Sequence, residues 1–334
     1  MMPGSLSSAA LHFGDVSLDG RVIAAPMAGV SDQPYRRLAR EYGAALAVTE
    51  MVSASPELRD TRKSRQRTTH CDETSPVSVQ LLGADPQQMA DAARENVSRG
   101  AQLIDINLGC PTKKVCKRLV GSALMRDETL VGRILDSVVA AVSVPVTLKM
   151  RTGWDRANRN AITIAKMAEQ SGVQALTVHG RSRECRYHGP IDYETIGAVK
   201  ASVSIPVVAN GDINSPETAI RVLRTTGADA VMIGRAAQGQ PWLLGRIHEA
   251  LNGRRDPGDP PLEKKRQTIL YHLESLHSFY GREQGVRIAR KHIQWYSEKL
   301  GADSCFRSTF NQADSPEQQR DLVIRLFEQL SERT

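Results

Sequence analysis

The amino-acid sequence predicts an α/β protein, a (β/α)8 TIM barrel followed by a small C-terminal α-helical bundle, on three observations. Eight short runs rich in Val, Ile, Leu and Ala recur between positions 21 and 237, separated by polar, helix-forming segments. The runs are near-continuously apolar rather than alternating, which marks parallel strands covered on both faces by crossover helices. Past Leu251 the pattern changes, first to a turn-rich stretch and then to a purely helical period.

The strand runs, in order, are RVIAAPMAG from Arg21, ALAVTEM from Ala45, PVSVQLLG from Pro76, LIDINLGC from Leu103, PVTLKMRTG from Pro145, ALTVHGR from Ala175, PVVANGD from Pro206 and AVMIGRAA from Ala230. Between them, one helix opens at Pro86 with Asp85 as its cap and another at Pro216 with Ser215 as its cap. A side-chain oxygen at the cap takes an otherwise unpaired N–H, and proline in the first turn has none to lose. Eight β-α units in about 230 residues is the size of such a barrel. A doubly wound sheet is the alternative, but no G-x-G-x-x-G follows the first strand. The run NGRRDPGDPP from Asn252 reads as a linker, and beyond it Ile269, Leu273, Leu276 and Tyr280, then Leu322, Leu326 and Leu330, recur at spacings of three and four. The expected organisation is a barrel over 1–250, a linker over 251–261 and a helical domain over 262–334.

The chain has 334 residues, 40% of them hydrophobic and 24% charged, which excludes a disordered or fibrous protein. No apolar run reaches the roughly 18 residues of a membrane span, and the first residues lack a basic and apolar leader. The expectation is a cytoplasmic, monomeric protein without membrane contact. Five cysteines with no C-x-x-C pair argue for reduced thiols rather than a disulfide framework. His179, Cys185 and His188, with Cys110 or Cys116, match no standard zinc spacing, so no metal is expected. The net charge of +7 is concentrated at 59–67, 113–118, 181–186 and 282–291. Gathered on one face, these clusters form the anion-binding footprint that a nucleic acid requires; scattered, they are an ordinary solvated surface.

In a barrel the chemistry sits at the C-terminal ends of the strands. Those ends carry Pro26-Met27-Ala28, Thr49-Glu50, Gln80, Asn107 with Cys110, Lys149 with Arg151, His179-Gly180-Arg181, Asn210-Gly211-Asp212 and Gly234-Arg235. The glycine turns after strands seven and eight suit a phosphate, because backbone N–H groups and a guanidinium can surround it. Lys149 places a charge in an apolar strand, so it needs a partner: a Schiff-base substrate, or the ring edge of a flavin where reduction leaves negative charge. Cys110 beside a basic loop is either a general acid, if its pKa is ordinary, or a nucleophile, if it is depressed.

Taken together, Ala25-Pro26-Met27-Ala28-Gly29-Val30-Ser31-Asp32, Asp105-Ile106-Asn107-Leu108-Gly109-Cys110-Pro111, Gly121-Ser122-Ala123-Leu124, Lys149-Met150-Arg151-Thr152-Gly153-Trp154, Val178-His179-Gly180-Arg181, Asn210-Gly211-Asp212 and Gly234-Arg235-Ala236 resemble the tRNA-dihydrouridine synthases over about residues 12–310. Arg287-Ile288-Ala289-Arg290-Lys291-His292 and Pro111-Thr112-Lys113-Lys114-Val115 point to the bacterial DusB-like branch. The resemblance implies that Pro26, Met27, Ala28, Gln80, Lys149 and His179 hold FMN, with Asn210, Gly211, Asp212, Gly234 and Arg235 around its phosphate end. It implies that NADPH reduces the flavin, that hydride passes to C6 of a D-loop uridine of tRNA, and that Cys110 protonates C5. Asn107 is then expected at the base, and Lys113, Lys114, Arg287, Arg290 and Lys291 on the tRNA. The competing readings are a flavin barrel for a small molecule, an aldolase using Lys149 and a catalytically silent tRNA-binding module.

Overall fold

The structure, a computed structural model, describes residues 10–59, 61–67, 70, 73–116 and 119–332. Eight parallel strands, β1 (Val22–Ala24), β2 (Leu46–Ala47), β3 (Ser78–Leu82), β4 (Leu103–Leu108), β5 (Val146–Arg151), β6 (Ala175–His179), β7 (Val207–Asn210) and β8 (Ala230–Ile233), lie in the order β2-β1-β8-β7-β6-β5-β4-β3, and a ninth, two-residue strand, Val52–Ser53, pairs in parallel with Leu81 and Leu82 of β3. The sheet closes on itself where Val48 bridges Ser78 and the Thr49 N–H donates to the Ser78 carbonyl at 3.1 Å. Strands β1 to β8 are the eight predicted runs, and their outward residues, such as Val22, Ile104, Leu148 and Val231, are buried because helices cover them.

The crossovers are α1 (Gln33–Glu41), α2 (Pro86–Ser98), α3 (Glu128–Ala141), α4 (Ala161–Gln170), α5 (Tyr193–Ser202), α6 (Pro216–Thr226) and α7 (Trp242–Leu251). Asp85 caps α2 by accepting from the Gln88 N–H at 2.8 Å, and Ser215 caps α6 by accepting from the Thr218 N–H at 3.1 Å. After β2 the rhythm breaks: two short helices, Pro56–Arg59 and Arg62–Arg67, replace a full crossover. Their sequence, PELRDTRKSRQR, has Leu58 as its one large apolar residue and so lacks a stripe to lay on the sheet.

A hairpin of Leu11–Phe13 and Val16–Leu18 plugs the bottom of the barrel. Leu11, Phe13 and Leu18 pack against Leu46, Leu103, Ala175, Val208 and Ala230, at or near the starts of their strands.

The C-terminal bundle comprises α8 (Leu262–Tyr280), α9 (Arg282–Lys299), α10 (Ser304–Gln312) and α11 (Pro316–Ser331). Ile269, Leu273, Leu276, Ile293, Phe310, Val323 and Phe327 form its core with Trp242 from the barrel side, each contributing roughly 1.5–3 kcal/mol by burial. The apolar face of α11 centres on Val323, Leu326 and Phe327, with Leu322 and Leu330 half-buried at its edge. Contact with the barrel is close. Tyr42 on the barrel and Thr268 on α8 share a 2.6 Å hydrogen bond, and Gly239 (φ +70°) lies so near the α9 backbone that a Cβ would sit 2.3 Å from the Trp295 carbonyl oxygen.

Candidate active site

Every second residue of a strand faces the barrel interior. β4 therefore sends Asp105 and Asn107 inward, β5 sends Thr147, Lys149 and Arg151, and Gln80, His179 and Asn210 join them from β3, β6 and β7. The strand register sets Gln80 beside Asp105, Asn107 beside Lys149, Arg151 beside His179 and His179 beside Asn210. Their ends open into a cavity of about 720 Å3 at the C-terminal mouth, a size typical of cofactor pockets. Pro26, Met27, Ala28, Gln80, Lys149, His179, Asn210, Gly211, Asp212, Gly234 and Arg235 all line it, together with Asn107 and Cys110.

Lys149 is buried, and Asn210 Oδ1, at 3.1 Å, is its one hydrogen-bond acceptor among the described residues. Burial, with the Arg151 charge adding to it, pulls its pKa down to about 8, against the pull of Asp105. The ammonium thus keeps donors unspent beside the cavity, an arrangement suited to an anionic edge. Burial and then Arg151 and Lys149 hold His179 well below its ordinary pKa, so it is a neutral donor and acceptor.

Cys110 is half-buried, and its position is set by a hydrogen-bond relay. Thr147 Oγ1 donates to Asp105 Oδ1 at 2.7 Å, and Gln80 Nε2 donates to Asp105 Oδ2 at 2.6 Å. Asn107 Nδ2 donates to Gln80 Oε1 at 2.6 Å, while Asn107 Oδ1 accepts from the N–H groups of Gly109 and Cys110, each at 3.0 Å. The Cys110 carbonyl takes the Ser122 hydroxyl at 2.8 Å, and its thiol lies 3.4 Å from Thr112 Oγ1. Burial pushes Asp105 up to about 6 although both bonds and Lys149 favour its charge. The sequence reading assigned no role to Asp105 or Thr147; their signal is the polar residue at every second position of β4 and β5.

At the expected phosphate end, Asp212 accepts from Arg181 at 2.5 Å and from Arg235 at 2.9 Å. Its carboxylate orients these guanidinia and is not itself an anion ligand; the hydrogen bond from Arg181 holds its pKa below the usual range. Arg235 remains exposed, with Tyr187 between it and Arg151 at 5.2 and 5.5 Å. Tyr187, exposed and at the mouth, was not singled out from the sequence because nothing in a loop position distinguishes it.

The basic clusters have diverse fates. Arg181 is buried, Arg183 stacks on Trp154 at 4.4 Å and Arg67 reaches the Met51 carbonyl at 2.9 Å. Lys113 and Lys114 lie on the short helix Lys113–Cys116, but their side chains, like those of Arg59, Arg62, Lys63 and Arg65, fall outside the described residues, as do Lys117 and Arg118 entirely. In the bundle Arg287 is exposed, whereas Arg290 donates to the Ala313 carbonyl at 3.3 Å and Lys291 donates to the Gly29 carbonyl. The cluster is therefore not the uniformly solvent-facing patch that its spacing suggests.

Asp32, His272 and His292 are buried together between α1 and the bundle, their ligand-capable atoms within 4.8 Å of one another. Burial and the nearby Lys291 ammonium lower the pKa of both imidazoles, that of His272 to about 3, so this is an uncharged histidine pair packed at the joint.

The family model described as Dihydrouridine synthase (Dus) matches residues 22–332. Among curated proteins the chain is 54% identical over 320 residues to tRNA-dihydrouridine synthase B of Xanthomonas axonopodis pv. citri, covering 96% of both. It is 53% identical over 317 residues to tRNA-dihydrouridine synthase B of Pseudomonas aeruginosa, covering 95% of this chain and 96% of that protein. Among solved structures it is similar to a variant of NCR from Zymomonas mobilis, with a TM-score of 0.54 and 18% identity, covering 75% of this chain and 92% of the other, which shows the barrel fold. No helix among the described residues is long and apolar enough to cross a membrane.

Proposed function

This chain belongs to the dihydrouridine synthase family, and from that premise we propose that it is an FMN-dependent tRNA-dihydrouridine synthase that uses NADPH as its electron donor. The observation that carries the cofactor assignment is the buried Lys149 ammonium with unspent donors, facing a 720 Å3 cavity also lined by Cys110. Those features fit FMN. Pro26, Met27 and Ala28 would flank the ring system, with Gln80, Lys149 and His179 at its polar edge. The N–H groups of the Gly211 and Gly234 turns, with Arg235, would face its phosphate. Once bound and reduced, FMN supplies the hydride that C6 of the uracil accepts.

The remaining steps belong to the protein. Addition across C5=C6 needs a proton at C5 as well as a hydride at C6, and the Cys110 thiol is the proton donor at the mouth. Asn107 fixes the backbone of Cys110 and so the direction from which that proton comes. A uridine has to leave its stack to enter the cavity, so the enzyme takes a flipped base, and the family resemblance assigns that base to the D-loop. Lys299, exposed at the cavity wall, and Arg287, exposed on the same helix, suit phosphate contacts that position tRNA without reading its sequence. In this reading Lys113 and Lys114 also contact the tRNA, and the enzyme meets its tRNA substrate in the cytoplasm.

The test is reconstitution. Apoprotein titrated with FMN is expected to bind one flavin and then to oxidise NADPH, with the reoxidation of its flavin accelerated by tRNA lacking dihydrouridine. A protein that binds no FMN, or whose reduced flavin is indifferent to tRNA, contradicts the reading.

A further inference from the structure

We infer that Lys291 is a positioning residue, through which the helical bundle clamps the turn of the barrel that faces the cofactor, rather than a cation reserved for tRNA. The inference rests on the assignment of the mouth cavity to FMN. The turn runs from Met27 to Ser31: the N–H groups of Val30 and Ser31 both donate to the Met27 carbonyl, at 2.9 and 3.0 Å, and Met27 N–H donates to Ser31 Oγ at 2.8 Å. On one side Met27, Ala28 and Val30 line the cavity.

On the other side Gly29 is held at both its polar atoms. Its N–H donates to Glu50, in the segment that follows β2, and its carbonyl accepts from Lys291 on α9. Gly29 adopts φ +76°, and a Cβ there would lie 3.5 Å from Lys291 Nζ, so the backbone and the ammonium are in direct contact. One residue beyond the turn, Asp32 caps α1 through the Tyr35 N–H at 3.0 Å and accepts from the Tyr280 hydroxyl of the bundle at 3.0 Å. Lys291 and Tyr280 thus grip adjacent points of the same segment from two helices. Further along α9, Lys299 reaches the cavity wall itself. Exposed Arg287, one turn before Lys291 on the same helix, makes no such contact with the barrel among the described residues and provides the internal comparison.

The experiment compares full-length Lys291→Met and Arg287→Glu by fluorescence titration of the apoproteins with FMN and by tRNA KM at saturating FMN. Lys291→Met is expected to weaken FMN binding tenfold or more, to keep tRNA KM within threefold of wild type, and to regain kcat when excess FMN is added. Arg287→Glu is expected to raise tRNA KM and its salt dependence while binding FMN as wild type does. Tyr280→Phe, which removes one hydroxyl, is expected to shift FMN affinity in the same direction as Lys291→Met by a smaller factor, and it decides the matter if the methionine variant proves insoluble. Wild-type FMN affinity in Lys291→Met or, failing that variant, in Tyr280→Phe overturns the inference, as does a raised tRNA KM with intact flavin binding in Lys291→Met. A wild-type protein that binds no FMN overturns the cofactor assignment instead, and the clamp with it.

Discussion

Replacing Asp105 by leucine removes the acceptor at the root of the relay that ends at Cys110. Two effects on stability oppose each other. Raising the Asp105 pKa from 3.8 to about 6 means that its charge costs about 3 kcal/mol at neutral pH, which leucine relieves. Against this, Gln80 Nε2 and Thr147 Oγ1 lose their acceptor, and each buried unpaired donor costs about 1–3 kcal/mol. The terms largely offset, so Asp105→Leu is expected to fold. What it loses is direction: Gln80 is free to turn, Asn107 loses its fixed partner, and the Gly109 and Cys110 N–H groups lose a fixed acceptor. A misplacement of about 1 Å at a reacting group reduces turnover on the order of 10²-fold. Asp105→Asn keeps an amide oxygen for Gln80 and turns its NH2 to the Thr147 hydroxyl, which can accept, so its kcat is expected to stay near that of wild type. The assay is kcat for uridine reduction, paired with the alkylation rate of Cys110 followed on its own peptide by mass spectrometry. Wild-type kcat and wild-type alkylation in Asp105→Leu would refute the relay.

Lys149→Met is expected to weaken FMN binding and to change the pH dependence of the apoprotein. Because the folded-state pKa is lowered to about 8, the unfolded chain binds more protons between about pH 8 and 10.5, so wild-type stability rises with pH across that window. Urea unfolding at pH 7.5 and 10 should show that rise in wild type and not in the variant; an equal rise in both would contradict it. For Asp105 the sign is opposite: its folded-state pKa is raised, so stability falls as pH climbs from about 4 to 6, and Asp105→Asn should gain about 3 kcal/mol on wild type over that interval. Phe310→Ala in the bundle core should cost about 3–5 kcal/mol in denaturant unfolding. A loss under 1 kcal/mol would show that the bundle is not packed as described.

Much of the fold can be read from the chain because parallel strands buried on both faces leave an apolar signature that few other structures share. The bottom hairpin is silent for the opposite reason, since three-residue strands are too short to show alternation. The site was legible where local sequence places a polar residue at a strand end, as with Gln80, Asn107, Lys149 and His179. It was illegible where partners are distant in the chain. Nothing near Arg181 announces that Asp212 will hold it, and nothing near Lys291 announces Gly29, 262 positions away, so cations that look like surface clusters are consumed inside the molecule. Asp105 lies within the Asp105–Pro111 motif, but the part it plays depends on bonds to two neighbouring strands.

The central claim, that Cys110 is the acid for reduction of a flipped tRNA base, is tested most directly by mapping dihydrouridine in tRNA lacking the modification after reaction with FMN-loaded protein and NADPH, with Cys110→Ala alongside. Wild type should produce dihydrouridine at a D-loop position, and Cys110→Ala should retain FMN and tRNA binding while losing on the order of 10²- to 10⁴-fold in turnover. Undiminished turnover in Cys110→Ala would remove Cys110 from the mechanism, and no dihydrouridine from a flavin-loaded, NADPH-oxidising wild type would contradict the assignment of tRNA as substrate.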